Sequence, residues 1–179
     1  MPAKRVVDLT GGLILLLLLS PLLLTLAAAT AAGFRGTPLA RSERVGLGGS
    51  GFAMLTLRTS PASPVGRLLR RHGADRIPQL INVVRGQMSL VGPRPLSPED
   101  SEESAQSPEG AVRARLRVRP GITGLWQISG RSDLPWEEMS VLDLHYVEQH
   151  WLGLDLLILV RTLPTAVLGR RAVRPLRLA

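Results

Sequence analysis

The sequence predicts a mixed α/β, helix-rich small domain that follows an N-terminal membrane helix. Residues 9–33 carry no charge and consist mainly of Leu and Ala, a run long enough for a membrane helix of roughly 20 residues. Within residues 42–59 a glycine-rich turn separates two strand-like stretches, and residues 137–167 hold two consecutive helical segments. With 179 residues, the chain has room for one domain plus a membrane element.

The composition favours anionic partners and excludes thiol chemistry. The formal charge is +8 and the pI is about 11.5, with Lys4 as the only lysine among many arginines. Such a surplus suits nucleic acid, anionic lipid headgroups or phosphorylated substrates, and the charge alone does not choose among them. Since the chain has no cysteine, a disulfide framework, a thiolate metal site and a cysteine nucleophile are excluded.

Three forms of the N-terminal segment remain open at this point. It can be a spanning helix, a cleaved signal peptide, or a re-entrant helix that enters and leaves the same leaflet. Lys4, Arg5 and the alanines at 27–29 resemble a signal peptide with a small-residue cleavage site. The run is long for a signal peptide, however, and Asp8 is an unusual residue in one.

The middle and the flanks of this segment favour the re-entrant form. Pro21 lies near the middle of the run, where it removes a hydrogen-bond donor and predicts a kink. Ser20, immediately before it, can satisfy a freed backbone group. Positive residues flank both ends, which favours both ends lying on the same side of the membrane. These residues are Lys4 and Arg5 before the run, and Arg35, Arg41 and Arg44 after it.

The stretch after the membrane segment predicts a hairpin and a short helix. Residues 42–59 read as two strands joined by a glycine-rich turn. Ser63 and Pro64 then predict a helix start, with serine as the N-cap and proline in the first position. Gly73 predicts the end of that helix.

Asp75 is expected to begin the next helix, which Gly86 ends. The apolar stripe of this helix consists of Ile77, Leu80, Ile81 and Val84. Taken without its neighbours, Asp75 is an ordinary N-cap whose carboxylate accepts from exposed helix amides.

The middle of the chain contains two consecutive segments of different composition. Residues 97–110 are rich in Ser, Glu and Pro and predict a solvated loop or a frayed helix. Four arginines then alternate with small or apolar residues, as on a strand with one basic face. They are Arg113, Arg115, Arg117 and Arg119. For the first three we expect a solvent-facing strand edge that is protected by charge.

The C-terminal part predicts two consecutive helices, over residues 137–151 and 152–167, of which the second is more apolar. Asp143 and Tyr146 are three residues apart and share one face of the first helix. Trp151 suits the headgroup zone of a membrane, so these helices are expected to be amphipathic and interfacial. Ordinary core packing is the alternative.

Two motifs carry the most specific signal. The first is Asp-Arg-Ile-Pro-Gln at residues 75–79 with Gly-Pro-Arg-Pro at 92–95, and the second is Arg-Pro-Gly-Ile-Thr-Gly at 119–124. A carboxylate at a helix start, an arginine between two prolines and a glycine-rich turn led by arginine all suit phosphate. With these motifs the chain resembles the bacterial sugar transferase family. Its members are monotopic phosphoglycosyl transferases, which load a sugar phosphate onto polyprenyl phosphate.

The resemblance covers nearly the whole chain, to about Gly169. It implies that a basic pair, an aspartate and the mid-helix Ser20-Pro21 form a re-entrant anchor over residues 1–34. A cytoplasmic phosphoglycosyl transferase domain would follow over residues 35–179. The expected location is therefore the cytoplasmic face of a bacterial cell membrane.

The resemblance also implies a reaction. A sugar-1-phosphate would pass from a nucleotide diphosphate sugar, most simply a UDP-sugar, to polyprenyl phosphate, which initiates exopolysaccharide, capsule or glycoconjugate assembly. Asp75 would be the nucleophile and form an aspartyl phosphosugar that the lipid phosphate resolves. Arg94, between Pro93 and Pro95, would bind phosphate, and Mg²⁺ is the expected cofactor. Further phosphate-binding candidates are Arg119, Arg131 and Arg58, and Gly121 belongs to the structural motif.

The chain departs from the family's motif at two positions. Arg76 stands where the family has the glutamate of its catalytic dyad, and Thr56 stands where it has a lysine. Because an arginine can neither bind magnesium nor accept a proton, three outcomes follow. Asp143 supplies a metal ligand, Arg76 neutralises phosphate in place of metal, or the protein is a degenerate relative that binds substrates without turnover.

An exported basic protein with a cleaved signal peptide is the remaining alternative. The sequence implies a membrane lipid and a nucleotide sugar as partners and no nucleic acid. It does not identify the sugar or the oligomeric state.

Overall fold

The fold is a mixed assembly of helices and two small sheets, which confirms the predicted α/β class. We describe it from a computed structural model. The residues that the structure describes are 2–33, 37–60, 62–100, 114–128 and 136–168. The predicted phosphate ligand Arg131 and most of the predicted loop at 97–110 lie outside them.

Helix α1, Pro2–Gly33, runs without interruption through Pro21. Proline has no N–H to donate to the carbonyl four residues earlier, which belongs to Leu17. Ser20 Oγ donates to this same carbonyl at 2.8 Å, so the expected rescue of a freed backbone group is confirmed. The helix is long and apolar enough to cross a membrane, and much of its surface, including Leu18 and Leu24, is exposed.

Three charged residues attach the start of α1 to the rest of the molecule. Lys4 Nζ lies 2.6 Å from the carboxylate of Asp155 and donates to a backbone carbonyl at 3.1 Å. Arg5 donates to two carbonyls at the end of a short helix. Asp8 is buried and accepts from the Ser89 hydroxyl and the Leu90 N–H. Because buried charges are stable only when paired, these contacts fix the register of α1 on the domain.

The predicted hairpin is confirmed as strands β1, Leu39–Val45, and β2, Gly51–Leu57, which pair antiparallel. Gly48 in the connecting 3-10 turn has φ +66°, a value that suits glycine. The side chain of Asn82 binds the second strand of the hairpin, since it accepts from Leu55 N–H and donates to the Ala53 carbonyl.

The next helix is confirmed at both ends. Helix α2, Pro64–His72, starts after Ser63, whose side chain accepts from Gly66 N–H, and ends at Gly73 with φ +70°. The serine cap and the glycine stop are local signals that depend on few residues, so they could be predicted without tertiary information.

The helix expected to begin at Asp75 starts later than predicted. Residues Ala74–Arg76 form a 3-10 turn, and helix α3 then spans Gln79–Val84. Pro78 lacks an N–H, so the regular hydrogen-bond ladder begins after it. The predicted end is confirmed, because Gly86 follows with φ +84°.

The two motifs that suit phosphate binding meet in a pair of parallel strands. Strand β3, Ser89–Val91, pairs with β4, Gly121–Thr123. A Cβ on Gly121 would collide with the backbone of Gly92, so glycine permits this close approach. A short helix α4, Leu125–Ile128, follows β4 directly.

The basic strand predicted over residues 113–119 is wrong in the part that the structure describes. Residues 114 and 115 are helical, and residues 116 and 117 form a turn. Arg115, expected on a solvent-facing edge, is only 4% exposed. Its guanidinium forms a buried ion pair with Asp143. The partner is distant in sequence, so the alternation of charges pointed to the wrong structure.

Two helices complete the core, as predicted. They are α5, Trp136–Gln149, and α6, Leu152–Leu168. Tyr146 and Ile158 are buried in a cluster with residues of α3, β3 and α4. Trp151 is 65% exposed. A row of leucines on α6 is also exposed: Leu152, Leu156, Leu157 and Leu163. An interfacial position for this apolar row is consistent with its exposure and stays a prediction.

Candidate active site

A polar cavity of about 190 Å³ lies between the hairpin, the 3-10 turn and the loop after β3. It brings together Asp75 and Arg94 from the first motif with Gly121 from the second. The remaining lining residues are Arg44, Met54, Thr56, Arg76, Gln79, Pro95, Ile122 and Trp126. The cavity is therefore the place where most of the sequence-predicted features converge.

Asp75 does not cap a helix. No side-chain hydrogen bond caps the 3-10 turn that contains it, nor α3 behind it. Its Oδ1 is buried and has no hydrogen-bond partner among the described residues. A buried carboxylate oxygen without a donor is costly, and because this oxygen belongs to a residue that lines a polar cavity, Asp75 is a candidate for chemistry or ligand binding.

Arg76 is held beside Asp75 by two residues of α4. Its Nη1 donates to Gln127 Oε1 at 2.7 Å, and its guanidinium carbon lies 5.3 Å from the ring centroid of Trp126. The guanidinium of Arg94 lies 6.0 Å from the centroid of the same ring. The indole therefore places two cations at one cavity, an arrangement that suits an anionic ligand.

The backbone, more than the side chain, fixes Arg94. Its N–H donates to Asp143 Oδ2 at 3.1 Å, and the Pro93 carbonyl accepts from Gly121 N–H at 2.9 Å. The side chain is exposed and contacts Met139. The loop is thus anchored to β4 and α5 while the guanidinium stays available at the cavity.

Asp143 supports this loop from within the core. It is 1% exposed and pairs with Arg115, which is also buried. Burial raises the pKa of Asp143 to about 6, although the Arg115 charge opposes the shift. Burial likewise lowers the pKa of Arg115. Asp143 is not among the described residues that line the Asp75 cavity, and its Oδ2 anchors Arg94. Its Oδ1 is buried without a partner in the described part of the chain, and a metal-ligand role for Asp143 stays a prediction.

Arg44 is a site residue that our sequence analysis did not select. Its Nε is buried without a hydrogen-bond partner in the described part of the chain, and it lines the cavity with Asp75. Arg44 pairs with Phe52 across the hairpin, so it shares a face with Met54 and Thr56. Strand alternation combined with the hairpin register could have found it. Thr56, noted for replacing a family lysine, lies in the same cavity.

Arg119 and Arg58, the other predicted phosphate ligands that the structure describes, are not among the residues lining this cavity. Arg119 Nε donates to the Gly86 carbonyl at 2.8 Å, where it ties the end of α3 to the strand pair. Arg58 is exposed and lines a separate cavity with Thr30 and Ser63. Arg119 and Arg58 as phosphate ligands therefore stay predictions without support from the geometry.

The donor set of the cavity does not fit a magnesium ion. Among its described lining residues Asp75 carries the sole carboxylate, whereas Arg44, Arg76 and Arg94 carry positive charge. Magnesium prefers carboxylate and phosphate oxygens in octahedral geometry. Within the described ranges, no three His, Cys, Asp or Glu residues group into a metal site. The expected Mg²⁺ therefore lacks a matching set of ligands among the residues that the structure describes.

A second cavity, apolar and about 230 Å³ in volume, adjoins the first. Arg76 and Ile122 line both cavities. Its other walls include Leu15 and Leu19 of the membrane-type helix α1 and Leu163 of α6. The cationic cavity thus opens beside an apolar space that α1 helps to form.

Comparisons with known proteins agree on one family. The family model described as bacterial sugar transferase matches residues 1–169. The exopolysaccharide production protein ExoY of Rhizobium meliloti is 34% identical, over 94% of this chain and 87% of the relative. The UDP-glucose:undecaprenyl-phosphate glucose-1-phosphate transferase of Caulobacter vibrioides is 40% identical, over 90% of this chain and 68% of the relative. The undecaprenyl-phosphate glucose phosphotransferase of Komagataeibacter xylinus is 37% identical, over 94% of this chain and 36% of the relative.

Proposed function

The chain belongs to the bacterial sugar transferase family, and from this membership we propose a phosphoglycosyl transfer reaction. A sugar-1-phosphate passes from a nucleotide diphosphate sugar, most simply a UDP-sugar, to polyprenyl phosphate. The product is a lipid-linked sugar that initiates exopolysaccharide or related glycan assembly. The relatives named for undecaprenyl-phosphate sugar phosphate transfer support this choice of substrates.

One observation carries the proposal: a cationic cavity with a nucleophile adjoins an apolar cavity next to a membrane-type helix. The reaction needs a charged, water-soluble donor and a charged headgroup on an apolar chain. The cavity around Asp75 suits the phosphates of both, and the space bounded by Leu15 and Leu19 suits the isoprenoid chain. Arg76 lies on the boundary, where the two substrates would meet.

In the first step, an Asp75 carboxylate oxygen attacks the sugar-bearing phosphorus of the donor. A bond forms between this oxygen and phosphorus, and the bond to the bridging oxygen of the diphosphate breaks. The nucleoside monophosphate leaves with the electron pair of that bond. The buried Oδ1, which accepts no hydrogen bond from the described residues, supports Asp75 as the attacking group.

In the second step, an oxygen of polyprenyl phosphate attacks the same phosphorus. The bond between phosphorus and Asp75 breaks, its electron pair returns to the carboxylate, and the lipid-linked diphosphate sugar is formed. Arg94 and Arg76 stabilise negative charge as it moves between oxygens, because both guanidinium groups lie beside Trp126 at the cavity and Arg76 is also held by Gln127.

The same proposal places the protein at the cytoplasmic face of the membrane, with α1 as a re-entrant anchor. Both ends of α1 contact the domain, since Lys4 and Asp8 bind it at one end and Thr30 is buried at the other. Contacts at both ends support a helix whose two ends lie on one side of the bilayer. The contacts of Lys4 and Arg5 also favour retention of this segment over cleavage as a signal peptide.

The proposal is tested by incubating the full-length protein with radiolabelled UDP-glucose, other UDP-sugars and polyprenyl phosphate. Wild type should form a lipid-linked product and Asp75→Asn should not. Glu43 is exposed on β1, so Glu43→Gln is the matched control and should form product like wild type. Donor alone should add a phosphosugar mass to the peptide that contains Asp75. Lipid product without such an adduct under rapid quench would exclude the two-step route.

A second candidate function is substrate binding without turnover. It is favoured by Arg76, which places a cation where the family's dyad has a second carboxylate. Donor binding with no lipid product across several UDP-sugars, with and without magnesium, would select this alternative.

A further inference from the structure

We infer that this site neutralises the donor's diphosphate with arginines, chiefly Arg44 and Arg76, and binds the donor without a divalent cation. The inference rests on the proposed function only for the donor being a nucleotide diphosphate sugar. It assigns a ligand role to Arg44 and replaces the expected magnesium by side chains of this chain.

The first support is the charge of the cavity. Its described lining residues include three arginines and one aspartate, an excess of two positive charges, and Asp100 lies near Arg44 and Arg94 outside this lining. The diphosphate of a nucleotide sugar carries two negative charges, so donor and cavity are matched before any metal is added. A magnesium ion entering the same space would meet one carboxylate and three like charges.

The second support is a pair of atoms that lack partners. The Nε of Arg44 is a buried donor and the Oδ1 of Asp75 a buried acceptor, and neither is paired with another described residue. Both belong to residues that line one cavity. A phosphate oxygen placed between the hairpin and the 3-10 turn would accept from Arg44, while its phosphorus would face Asp75.

The third support is the fixed position of Arg76. Gln127 and Trp126 hold its guanidinium against α4, so little side-chain freedom is lost when an anion binds. Arg76 also adjoins the apolar cavity, from which the lipid phosphate would enter. A cation held here serves the donor in the first step and the acceptor in the second.

The test measures binding of UDP-glucose to the full-length protein in detergent by calorimetry. In wild type the Kd should change less than twofold between EDTA and magnesium buffers. Arg44→Gln and Arg76→Gln should each weaken binding about tenfold in EDTA. Arg41→Gln, on an exposed residue of the same strand outside the cavity, should leave the Kd unchanged. Uridine, which lacks the diphosphate, should bind the wild type and the variants alike.

A metal-binding readout provides the second arm. Titration of the ligand-free protein with Mn²⁺, followed by electron paramagnetic resonance, should show no saturable site in wild type. Arg76→Glu puts a second carboxylate beside Asp75, so this variant should gain such a site and lose donor affinity in EDTA. Circular dichroism and the thermal midpoint of each variant establish that it is folded.

The outcomes separate this inference from the proposed function. Magnesium-dependent donor binding in wild type, or unchanged affinity in both the Arg44 and Arg76 variants, overturns the inference even if lipid product forms. Absence of donor binding under both conditions overturns it as well. Metal-free binding that responds to both arginines supports it, even if no lipid product is ever detected.

Discussion

Asp155 and Asp75 are aspartates of the same small domain in opposite surroundings. Asp155 is 5% exposed, and its two oxygens accept from Lys4 Nζ and from the Tyr146 hydroxyl, each at 2.6 Å. Asp75 has a buried oxygen with no partner in the described residues, and three arginines line its cavity. One carboxylate is neutralised and fully bonded, whereas the other is left available.

Under the proposed function, this difference separates a structural aspartate, Asp155, from the proposed nucleophile, Asp75. Burial of a bonded ion pair fixes the geometry of the elements that it joins, here α1, α5 and α6. An unbonded oxygen on a residue that lines a cavity, as in Asp75, is open to an incoming group, whereas the equally unbonded Oδ1 of Asp143 belongs to a residue that is not among those lining that cavity. The comparison therefore predicts that changes at Asp155 reduce stability and that changes at Asp75 reduce turnover.

The largest expected effect is on catalysis by Asp75→Asn. Turnover should fall at least about 1000-fold, or roughly 4 kcal/mol of transition-state stabilisation, because the amide is a poor nucleophile. The free energy of unfolding should change by less than about 0.5 kcal/mol, since no helix-cap hydrogen bond is lost. Radiolabel transfer and denaturant unfolding in detergent measure the two quantities. Near wild-type turnover would contradict the role given to Asp75.

The second effect is on stability at the other aspartate. Asp155→Asn should lower the free energy of unfolding by about 3 kcal/mol, because the mostly buried Lys4 side chain loses its charge partner. Glu148→Gln, at an exposed position on α5, is the control and should change stability little. A loss below about 1 kcal/mol in the Asp155 variant would mean that the ion pair does not fix α1.

Arg115→Met sharpens the comparison at a third aspartate, Asp143. Removing the arginine should cost about 3–5 kcal/mol near pH 8, because an ionised carboxylate then remains buried without its partner. In wild type the folded pKa of about 6 exceeds the ordinary 3.8, so the folded state binds a proton more tightly than the unfolded state. Stability from this group is therefore present at low pH and falls as pH rises from about 4 to 6.

The variant should show this pH dependence more strongly, since loss of the Arg115 charge raises the pKa of Asp143 further. Its destabilisation relative to wild type should be smaller at pH 5 than at pH 8 in urea titrations. Adding Asp143→Asn to the variant should remove the difference. An equal loss at both pH values would show that Asp143 does not take up a proton there.

The smallest expected effect comes from a true helix cap. Ser63→Ala should cost about 1 kcal/mol, because Gly66 N–H loses the acceptor that the serine provides. Activity should be unchanged, since Ser63 does not line the cavity around Asp75. If Asp75→Asn cost as much stability as Ser63→Ala, Asp75 would be acting as a cap, and the contrast between the two aspartates would weaken.

These comparisons also explain which features were predictable from the sequence. Ser63, Gly73 and Gly86 mark helix ends through local backbone chemistry, and all three boundaries are confirmed. Asp75 and Arg94 could be selected from the motifs that carry the family resemblance. The meeting of this first motif with Gly121 of the second motif in one cavity depends on the pairing of β3 with β4.

The remaining site features depend on tertiary contacts that short patterns do not encode. Arg44 reaches the cavity only through the hairpin register, and Arg76 is oriented by Gln127, which lies 51 residues away in the chain. Arg115 looked like a residue on a charged strand edge because its buried partner, Asp143, lies 28 residues away. The alternation of charges around Arg115 could not reveal its pairing with Asp143.

The attachment of α1 has a consequence for biosynthesis. Lys4 is synthesised before its partner Asp155, which follows 151 residues later in the chain. The partners of Asp8 are also synthesised after it: they are Ser89 and Leu90, which immediately precede the loop that carries Arg94. The helix is therefore complete before Asp155 exists, and Lys4 can bind the domain only after Asp155 has been made. Under the proposed function, insertion of α1 into the membrane would precede assembly of the cavity around Asp75.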